Sequence, residues 1–245
     1  MRWSERQTAM LREMGVRLWA PPETEAPALT VSDEAPAVVH EARTVPVALP
    51  SAVSTLTWPA LREAVAACTA CKLCESRRQT VFGVGHPRAH WMIVGEAPGE
   101  QEERQGEPFV GKSGQLLDNM LRAVGLTRGD AEPERQVFIA NTLKCRPPGN
   151  RNPEPDELAK CEPFLIRQIQ LVQPKIILAM GAFAVQSLLR STEPVGRLRG
   201  RVHQYQGVPL IVSYHPAYLL RNLVDKAKAW DDLCLAVETL QHASR

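Results

Sequence analysis

From residue 58 onward, short apolar runs alternate with longer amphipathic stretches. The runs at 91–94 and 137–141 have the length and apolar character of strands buried on both faces of a sheet. The stretch at 113–124 repeats its apolar residues with the period of a helix and ends at Gly125. The predicted strands are residues 91–94, 137–141, 175–181 and 208–212, and the predicted helices are residues 59–67, 113–124, 154–172, a stretch ending at 189, and 226–241.

Strands that alternate with helices favour a parallel sheet covered by helices on both faces. In such sheets, ligands bind beyond the carboxyl ends of the strands. The glycine-containing loop 95–99, Asn141 and His215 each follow a different predicted strand. We therefore expect these three features to converge on one site.

The first 57 residues have a different character. Residues 4–14 predict one short helix, whereas residues 20–57 contain six prolines and no sustained helical or strand period. Such a segment buries too little apolar surface to offset the entropy lost on ordering. We predict a mostly disordered N-terminal extension, residues 1–57, and a folded domain, residues 58–245.

The composition is that of an ordinary globular protein, with 44% hydrophobic residues, 23% charged residues and a net charge of +2. Binding to nucleic acid would therefore need a local basic patch. No apolar run has the roughly 18 residues that a membrane span needs, and the charged N-terminus does not resemble a secretory signal. We expect a cytoplasmic protein whose six cysteines are metal ligands or buried thiols.

Two groups of cysteines carry the strongest chemical signal in the chain. Four thiolates can hold a 4Fe–4S cluster or a tetrahedral zinc ion, and spacing alone does not separate the two. Cys74 forms a second, overlapping CxxC pair, and Cys234 has the sequence context of a small core residue. The candidate ligands are Cys68, Cys71, Cys145 and Cys161.

Five motifs occur in order: GEAPG at 95–99, PFVG at 108–111, NTLKCRPP at 141–148, NR at 150–151 and HPAYLLRN at 215–222. Together they resemble the family 4 uracil-DNA glycosylases, over about residues 64–240. The resemblance implies a three-layer αβα sandwich around a four-stranded parallel sheet. It also implies a structural 4Fe–4S cluster on the four candidate cysteines, with Cys74 as a spectator.

The resemblance further implies a monomeric DNA glycosylase that hydrolyses the N-glycosidic bond of deoxyuridine in single- or double-stranded DNA and so starts base-excision repair. Phe109 would stack on an everted base. The amide of Asn141 can match the N3–H and O4 edge of uracil, which cytosine does not present. His215 would donate a hydrogen bond to the negative charge that develops on uracil O2. The N-terminal extension lies outside the resemblance, and it would either recruit a repair or replication partner or be a disordered tail.

The group that positions the attacking water is less clearly marked. Ala97 occupies a position where some relatives carry an acid, so that role is vacant or displaced. Glu102 is the preferred stabilising group, with Asn150 as a water-positioning amide and Glu96 lining the base site through its backbone. The competing interpretation is that Glu100, Glu102 and Glu103 form a solvated acidic run.

Basic residues in loops or at strand ends are candidates to neutralise phosphates. Leu219, Leu220 or Arg221 would fill the gap that an everted base leaves in the DNA stack. The candidate phosphate contacts are Lys112, Lys144, Arg146, Arg151, Arg199 and Arg221.

Two other functions compete with this interpretation. The residue at Ala97 and the long extension are compatible with a catalytically inactive DNA-binding module associated with a polymerase or a repair partner. A zinc-bound structural protein would carry the same four cysteines.

Overall fold

The computed structural model describes residues 51–243 of the chain. The predicted helix at 4–14 and the predicted linker up to residue 50 lie outside the described residues. The described part begins with a short helix, α1 (Ser51–Ser54). Val53 and Leu56 pack against the core, so the last residues of the predicted linker contact the folded domain. The domain boundary at residue 58 stays a prediction.

The sheet has six strands, two more than expected, in the spatial order β1-β3-β2-β4-β6-β5. Neighbours among β3, β2, β4 and β6 pair in parallel, whereas β1 and β5 are antiparallel strands at the two edges. Each of the four predicted strands is present. The strands are β1 (Val84–Gly85), β2 (Trp91–Gly95), β3 (Val137–Asn141), β4 (Ile176–Met180), β5 (Val202–Tyr205) and β6 (Val208–Ser213).

Helices cover both faces of the sheet, which confirms the α/β class. Met92 and Val94 face a core shared with helices α2, α6 and α7, and Trp91 and Ile93 face a second core shared with α5 and α10. This alternation follows from the two-residue period of a strand. The helices are α2 (Trp58–Ala66), α3 (Leu73–Ser76), α4 (Glu100–Gln105), α5 (Lys112–Ala123), α6 (Pro155–Val172), α7 (Ala182–Leu189), α8 (Val195–Leu198), α9 (Pro216–Arg221) and α10 (Lys226–Ala243).

The two edge strands, β1 and β5, were not predicted from the sequence, and each has a physical reason. β1 has only two residues, and Gly85 has a φ of 113° and lies against the backbone of Val137. β5 is joined to β6 by Gln206 and Gly207, which both have positive φ, as the two-residue turns of β-hairpins require. Across residues 51–243, no helix combines the length and apolar character needed to cross a bilayer.

Candidate active site

The carboxyl ends of the four parallel strands open onto one cleft. Gly95 ends β2, Asn141 ends β3, Gly181 follows β4, and His215 lies two residues beyond β6. The predicted convergence of the 95–99 loop, Asn141 and His215 is therefore confirmed. The predicted site residues that line the cleft are Glu96, Ala97, Glu102, Phe109, Asn141, Asn150, His215 and Arg221.

The ring of Phe109 is fixed by close packing on two sides. It stacks on the imidazole of His215, with ring centroids 5.3 Å apart and an angle of 28° between the planes. Phe109 has a φ of 56°, a left-handed conformation that is uncommon for a bulky residue. A Cβ on Gly95 would lie 2.6 Å from the Phe109 ring, and a Cβ on Gly114 would lie 1.6 Å from the Phe109 carbonyl oxygen. Glycine at both positions allows this arrangement.

Asn141 presents an unpaired acceptor to this packed corner. The residue is 3% exposed, and its Oδ1 has no hydrogen-bond partner among the described residues. A Cβ on Gly95 would lie 2.4 Å from this oxygen, which places the amide beside the ring of Phe109. Buried polar atoms in proteins almost always have a partner, so an unpaired one in a cleft indicates a ligand that supplies a donor.

The imidazole of His215 is neutral and has a defined tautomer. Its Nδ1 accepts a hydrogen bond from the backbone N–H of Ala217 at 3.2 Å, which leaves the ring proton on Nε2. Burial and, to a smaller extent, the charge of Arg221 lower the pKa of His215 to about 4, against an opposing effect of Glu102. A neutral ring with an Nε2–H is a hydrogen-bond donor that carries no full charge.

Glu102 joins the α4 helix to the loop that carries Phe109. Its Oε1 accepts hydrogen bonds from the backbone N–H groups of Val110 and Gly111, at 3.1 and 3.2 Å. Its Oε2 faces Gly99, on the lining of the cleft. Glu96 also lines the cleft, and burial raises the pKa of its carboxyl group. The backbone carbonyl of Glu96 accepts a hydrogen bond from Leu143 N–H at 3.1 Å.

The predicted solvated acidic run is wrong at Glu103. This residue is 4% exposed, accepts a hydrogen bond from Arg78 N–H at 3.0 Å and pairs with Arg146 at 3.5 Å. Arg146 Nε donates in turn to Asn150 Oδ1 at 2.7 Å. The carbonyl side of the Asn150 amide is therefore engaged at the rim of the cleft.

The candidate phosphate contacts separate into different environments. Lys144 is 1% exposed, so the prediction that it contacts DNA is wrong. Arg151 pairs with Glu157 at 2.6 Å, and Arg199 pairs with the fully buried Asp232 at 2.8 Å. The remaining candidates, Lys112 and Arg221, are exposed, and Arg221 lines the cleft.

The two leucines of α9 are distinguished by their exposure. Leu219 is fully buried, whereas Leu220 is 40% exposed. Of this pair, only Leu220 has a side chain that is exposed enough to insert into a DNA stack.

The cleft also contains two tyrosines that the sequence patterns did not single out. Tyr214 and Tyr218 stack on each other with centroids 5.0 Å apart, and both line the cleft. The hydroxyl of Tyr218 donates to Asp225 at 2.7 Å, which fixes its ring. The sequence could have indicated them, because they lie on either side of His215.

The four candidate metal ligands line a second cavity, with a volume of about 20 Å³. Its walls are largely apolar and include Val65, Leu143 and Phe164. Two N–H groups already point at sulfur: Arg77 Nη1 donates to Cys145 Sγ and Lys144 N–H donates to Cys161 Sγ, both at 3.3 Å. The cysteines of this cavity are Cys68, Cys71, Cys145 and Cys161, and Cys74 lies outside its lining.

The electrostatics of this cavity suit a bound metal centre. Burial raises the pKa of the Cys145 thiol and raises that of Cys161 to about 12. Thiolates there need a compensating cation, because a coordinated thiol loses its proton. Within residues 51–243, no three His, Cys, Asp or Glu side chains are gathered closely enough to hold a metal ion. Four thiols lining one cavity match the ligand number of a 4Fe–4S cluster and of a tetrahedral zinc ion alike.

Comparison with known proteins agrees with the site. Residues 82–234 match the family described as the Uracil DNA glycosylase superfamily. The chain is 42% identical over 171 residues to a type-4 uracil-DNA glycosylase of Sulfurisphaera tokodaii, covering 66% of this chain and 75% of the relative. It is 41% identical over 162 residues to that of Thermotoga maritima, covering 65% and 81%. It is 40% identical over 164 residues to that of Archaeoglobus fulgidus, covering 64% and 79%.

Replacing Gly114 by alanine tests the close packing under Phe109. In most helix interiors this change stabilises by about 1 kcal/mol. Here the new Cβ would overlap the carbonyl oxygen of Phe109, so we expect a loss of about 1–3 kcal/mol in the free energy of unfolding, measured by chemical denaturation. Gly129→Ala is the control, because its nearest atom would lie 3.5 Å away. Stability of Gly114→Ala equal to that of the unmodified protein would contradict this packing.

The protonation state of His215 can be followed by NMR. Because burial depresses its pKa, the ring stays neutral as the pH falls through 6.5 and becomes protonated only near 4. We expect the imidazole carbon shifts of His215, assigned with His215→Gln protein, to be constant from about pH 8 to about pH 5.5. A titration midpoint near 6.5 would show that the ring is solvated and that this interpretation is incorrect.

Proposed function

This chain belongs to the uracil DNA glycosylase superfamily, and we propose that it is a monofunctional uracil-DNA glycosylase that hydrolyses the N-glycosidic bond of deoxyuridine in DNA. The observation that carries the proposal is the unpaired, buried Oδ1 of Asn141 beside the ring of Phe109. Uracil offers an N3–H donor to such an acceptor. Cytosine offers a second acceptor at the same position and would leave both atoms unpaired.

In the proposed complex, an everted uracil enters the cleft and stacks on Phe109. Stacking on an aromatic ring contributes roughly 1–3 kcal/mol per base. The Asn141 amide reads the N3–H and O4 edge, and the Nε2–H of His215 is directed at O2. Because the imidazole is held neutral and oriented by Ala217 N–H, the donor needs little rearrangement when the bond breaks.

Cleavage of the bond between C1′ and N1 leaves its electron pair on uracil, with negative charge concentrated on O2. His215 stabilises that anion, a water oxygen bonds to the electron-poor C1′, and the proton that this water releases neutralises the uracil anion directly or through solvent. Glu102 is the proposed electrostatic partner of the sugar cation, because two backbone N–H groups orient its carboxylate toward the cleft. Asn150 is the proposed amide that positions water, and Glu96 lines the base pocket. Ala97 leaves the acid position of the first motif without a side-chain function.

The proposed DNA surface lies around the mouth of the cleft. Lys112 and Arg221 would contact phosphates directly, and Leu220 would fill the vacated stack because its side chain is exposed. Arg146, Arg151 and Arg199 remain predicted phosphate contacts that would have to share their charge with internal carboxylates.

A 4Fe–4S cluster is the proposed occupant of the cysteine cavity, held by Cys68, Cys71, Cys145 and Cys161. When bound, it supplies iron cations that stabilise the thiolate forms of these four cysteines. Arg77 and the backbone N–H of Lys144 would hydrogen-bond to these sulfurs. Its role is structural, because base release needs no electron transfer.

The alternative of a catalytically inactive DNA-binding module is not favoured, because the aromatic ring, the amide and the imidazole meet in one cleft. We also propose that the protein is a cytoplasmic monomer whose reaction starts base-excision repair. Its N-terminal extension would bind a repair or replication partner.

Release of free uracil tests the proposed glycosylase activity and the proposed role of Asn141 in base recognition together. The unmodified, iron-loaded protein should release free uracil from an oligonucleotide with one deoxyuridine and no cytosine from its deoxycytidine counterpart. Asn141→Leu removes the amide at similar volume and should lower kcat/KM by about 100-fold or more. Asn119→Leu, on the exposed face of α5, is the matched control and should retain full activity. No release by the unmodified protein would reject the assignment.

Cysteine substitutions test the metal centre. Cys161→Ser removes a cavity ligand and should abolish visible iron–sulfur absorption and bound iron, because three thiolates hold a cubane cluster poorly. Cys74→Ser is the control and should keep both, since Cys74 lies outside the cavity lining. A colourless unmodified protein with one equivalent of zinc would contradict the cluster.

A further inference from the structure

One short segment carries both the proposed base reader and a cysteine ligand. Asn141 ends β3, and Cys145 follows four residues later. Between them, Thr142 N–H and Leu143 N–H donate to the carbonyls of Gly95 and Glu96, at 3.0 and 3.1 Å. The segment is therefore hydrogen-bonded to the 95–99 loop, and Lys144 lies between Asn141 and Cys145 in the sequence.

The side chain of Lys144 is directed into the interior, toward Asn141. Its Nζ donates to the backbone carbonyl of Asn141 at 2.6 Å and to Gln168 Oε1 at 2.7 Å. Gln168 is itself held, because its Nε2 donates to the carbonyl of Phe82 at 2.8 Å. A buried ammonium group is costly unless it is hydrogen-bonded, so these acceptors define where it lies.

The main chain of Lys144 contacts the cysteine cavity at the same time. Its N–H donates to Cys161 Sγ at 3.3 Å, and its carbonyl accepts from Val81 N–H at 2.8 Å. One residue thus holds a sulfur of the cavity through its backbone and the peptide of the reader through its side chain. Both contacts belong to the same residue, so a displacement of its backbone would affect both.

We propose that Lys144 is a positioning residue that ties the cysteine centre to Asn141, so that recognition of uracil depends on an occupied metal centre. This inference rests on the proposed function. The hydrogen bond from Nζ sets the orientation of the Asn141 peptide, and through it the direction of the amide in the cleft. A metal centre that fixes the Cys161 sulfur would also fix the backbone of Lys144, and with it the position from which the ammonium group holds that peptide.

A competing role for Lys144 would be charge balance alone, with its ammonium offsetting nearby thiolates. Replacement of Lys160 distinguishes the two roles. It lines the same cavity, but it is exposed and pairs with Asp156 at 2.8 Å. Its removal takes a positive charge from the cavity wall without touching Asn141.

The test compares Lys144→Met with Lys160→Met in full-length, iron-loaded protein. Binding of free uracil is measured by calorimetry, alongside iron content and visible absorption. Lys144→Met should keep its iron yet bind uracil roughly 10- to 100-fold more weakly, because the Asn141 carbonyl is left buried without a donor. Lys160→Met should bind uracil like the unmodified protein. Removal of iron from the unmodified protein should weaken uracil binding to a similar extent.

Unchanged uracil affinity in iron-loaded Lys144→Met would overturn the inference, and so would an equal loss in Lys160→Met. If Lys144→Met does not fold or hold iron, Gln168→Met decides, because it keeps the lysine and removes one acceptor. That variant should weaken uracil binding by a smaller factor, and unchanged binding would overturn the inference. If the unmodified protein releases no uracil, the proposed function fails first; if it does, these outcomes concern Lys144 alone.

Discussion

The close packing of Phe109 against Gly95 and His215 is the constraint on which the cleft depends. The ring stacks on the imidazole at 5.3 Å, and its left-handed backbone is possible because Gly114 leaves room for its carbonyl. Glu102 holds the following two amides, so the loop has little freedom to relax. Strain of this kind is typical of sites where one geometry must be preorganised.

The cleft and the cysteine cavity lie on two sides of one backbone segment. Ala97, which lines the cleft, packs in the same small apolar cluster as Leu143 and Cys145. Ligation of the proposed cluster would therefore restrain side chains at the cleft through direct packing. The proposed cluster would then have a mechanical role that needs no redox step.

Much of the fold and the centre of the site could be predicted from the sequence, because they depend on local patterns. Continuous apolar runs marked the buried parallel strands, and the topology then placed Asn141 and His215 at one edge. The edge strand β5 was missed because its buried positions hold His203 and Tyr205 whereas Val202 is exposed, so its sequence shows no alternation of apolar and polar residues. Lys144 was misjudged because a lysine in a loop, two residues from Arg146, is typical of a charged surface. Its burial depends on Gln168, which is distant in sequence.

The structure of the iron-loaded protein with bound uracil, solved by crystallography, tests the central claim most directly. The account predicts that the base lies on the Phe109 ring, with its N3–H on Asn141 Oδ1 and its O2 within hydrogen-bond distance of His215 Nε2. Uracil bound elsewhere in the cleft, or Asn141 Oδ1 paired with a protein donor while the base is bound, would contradict it.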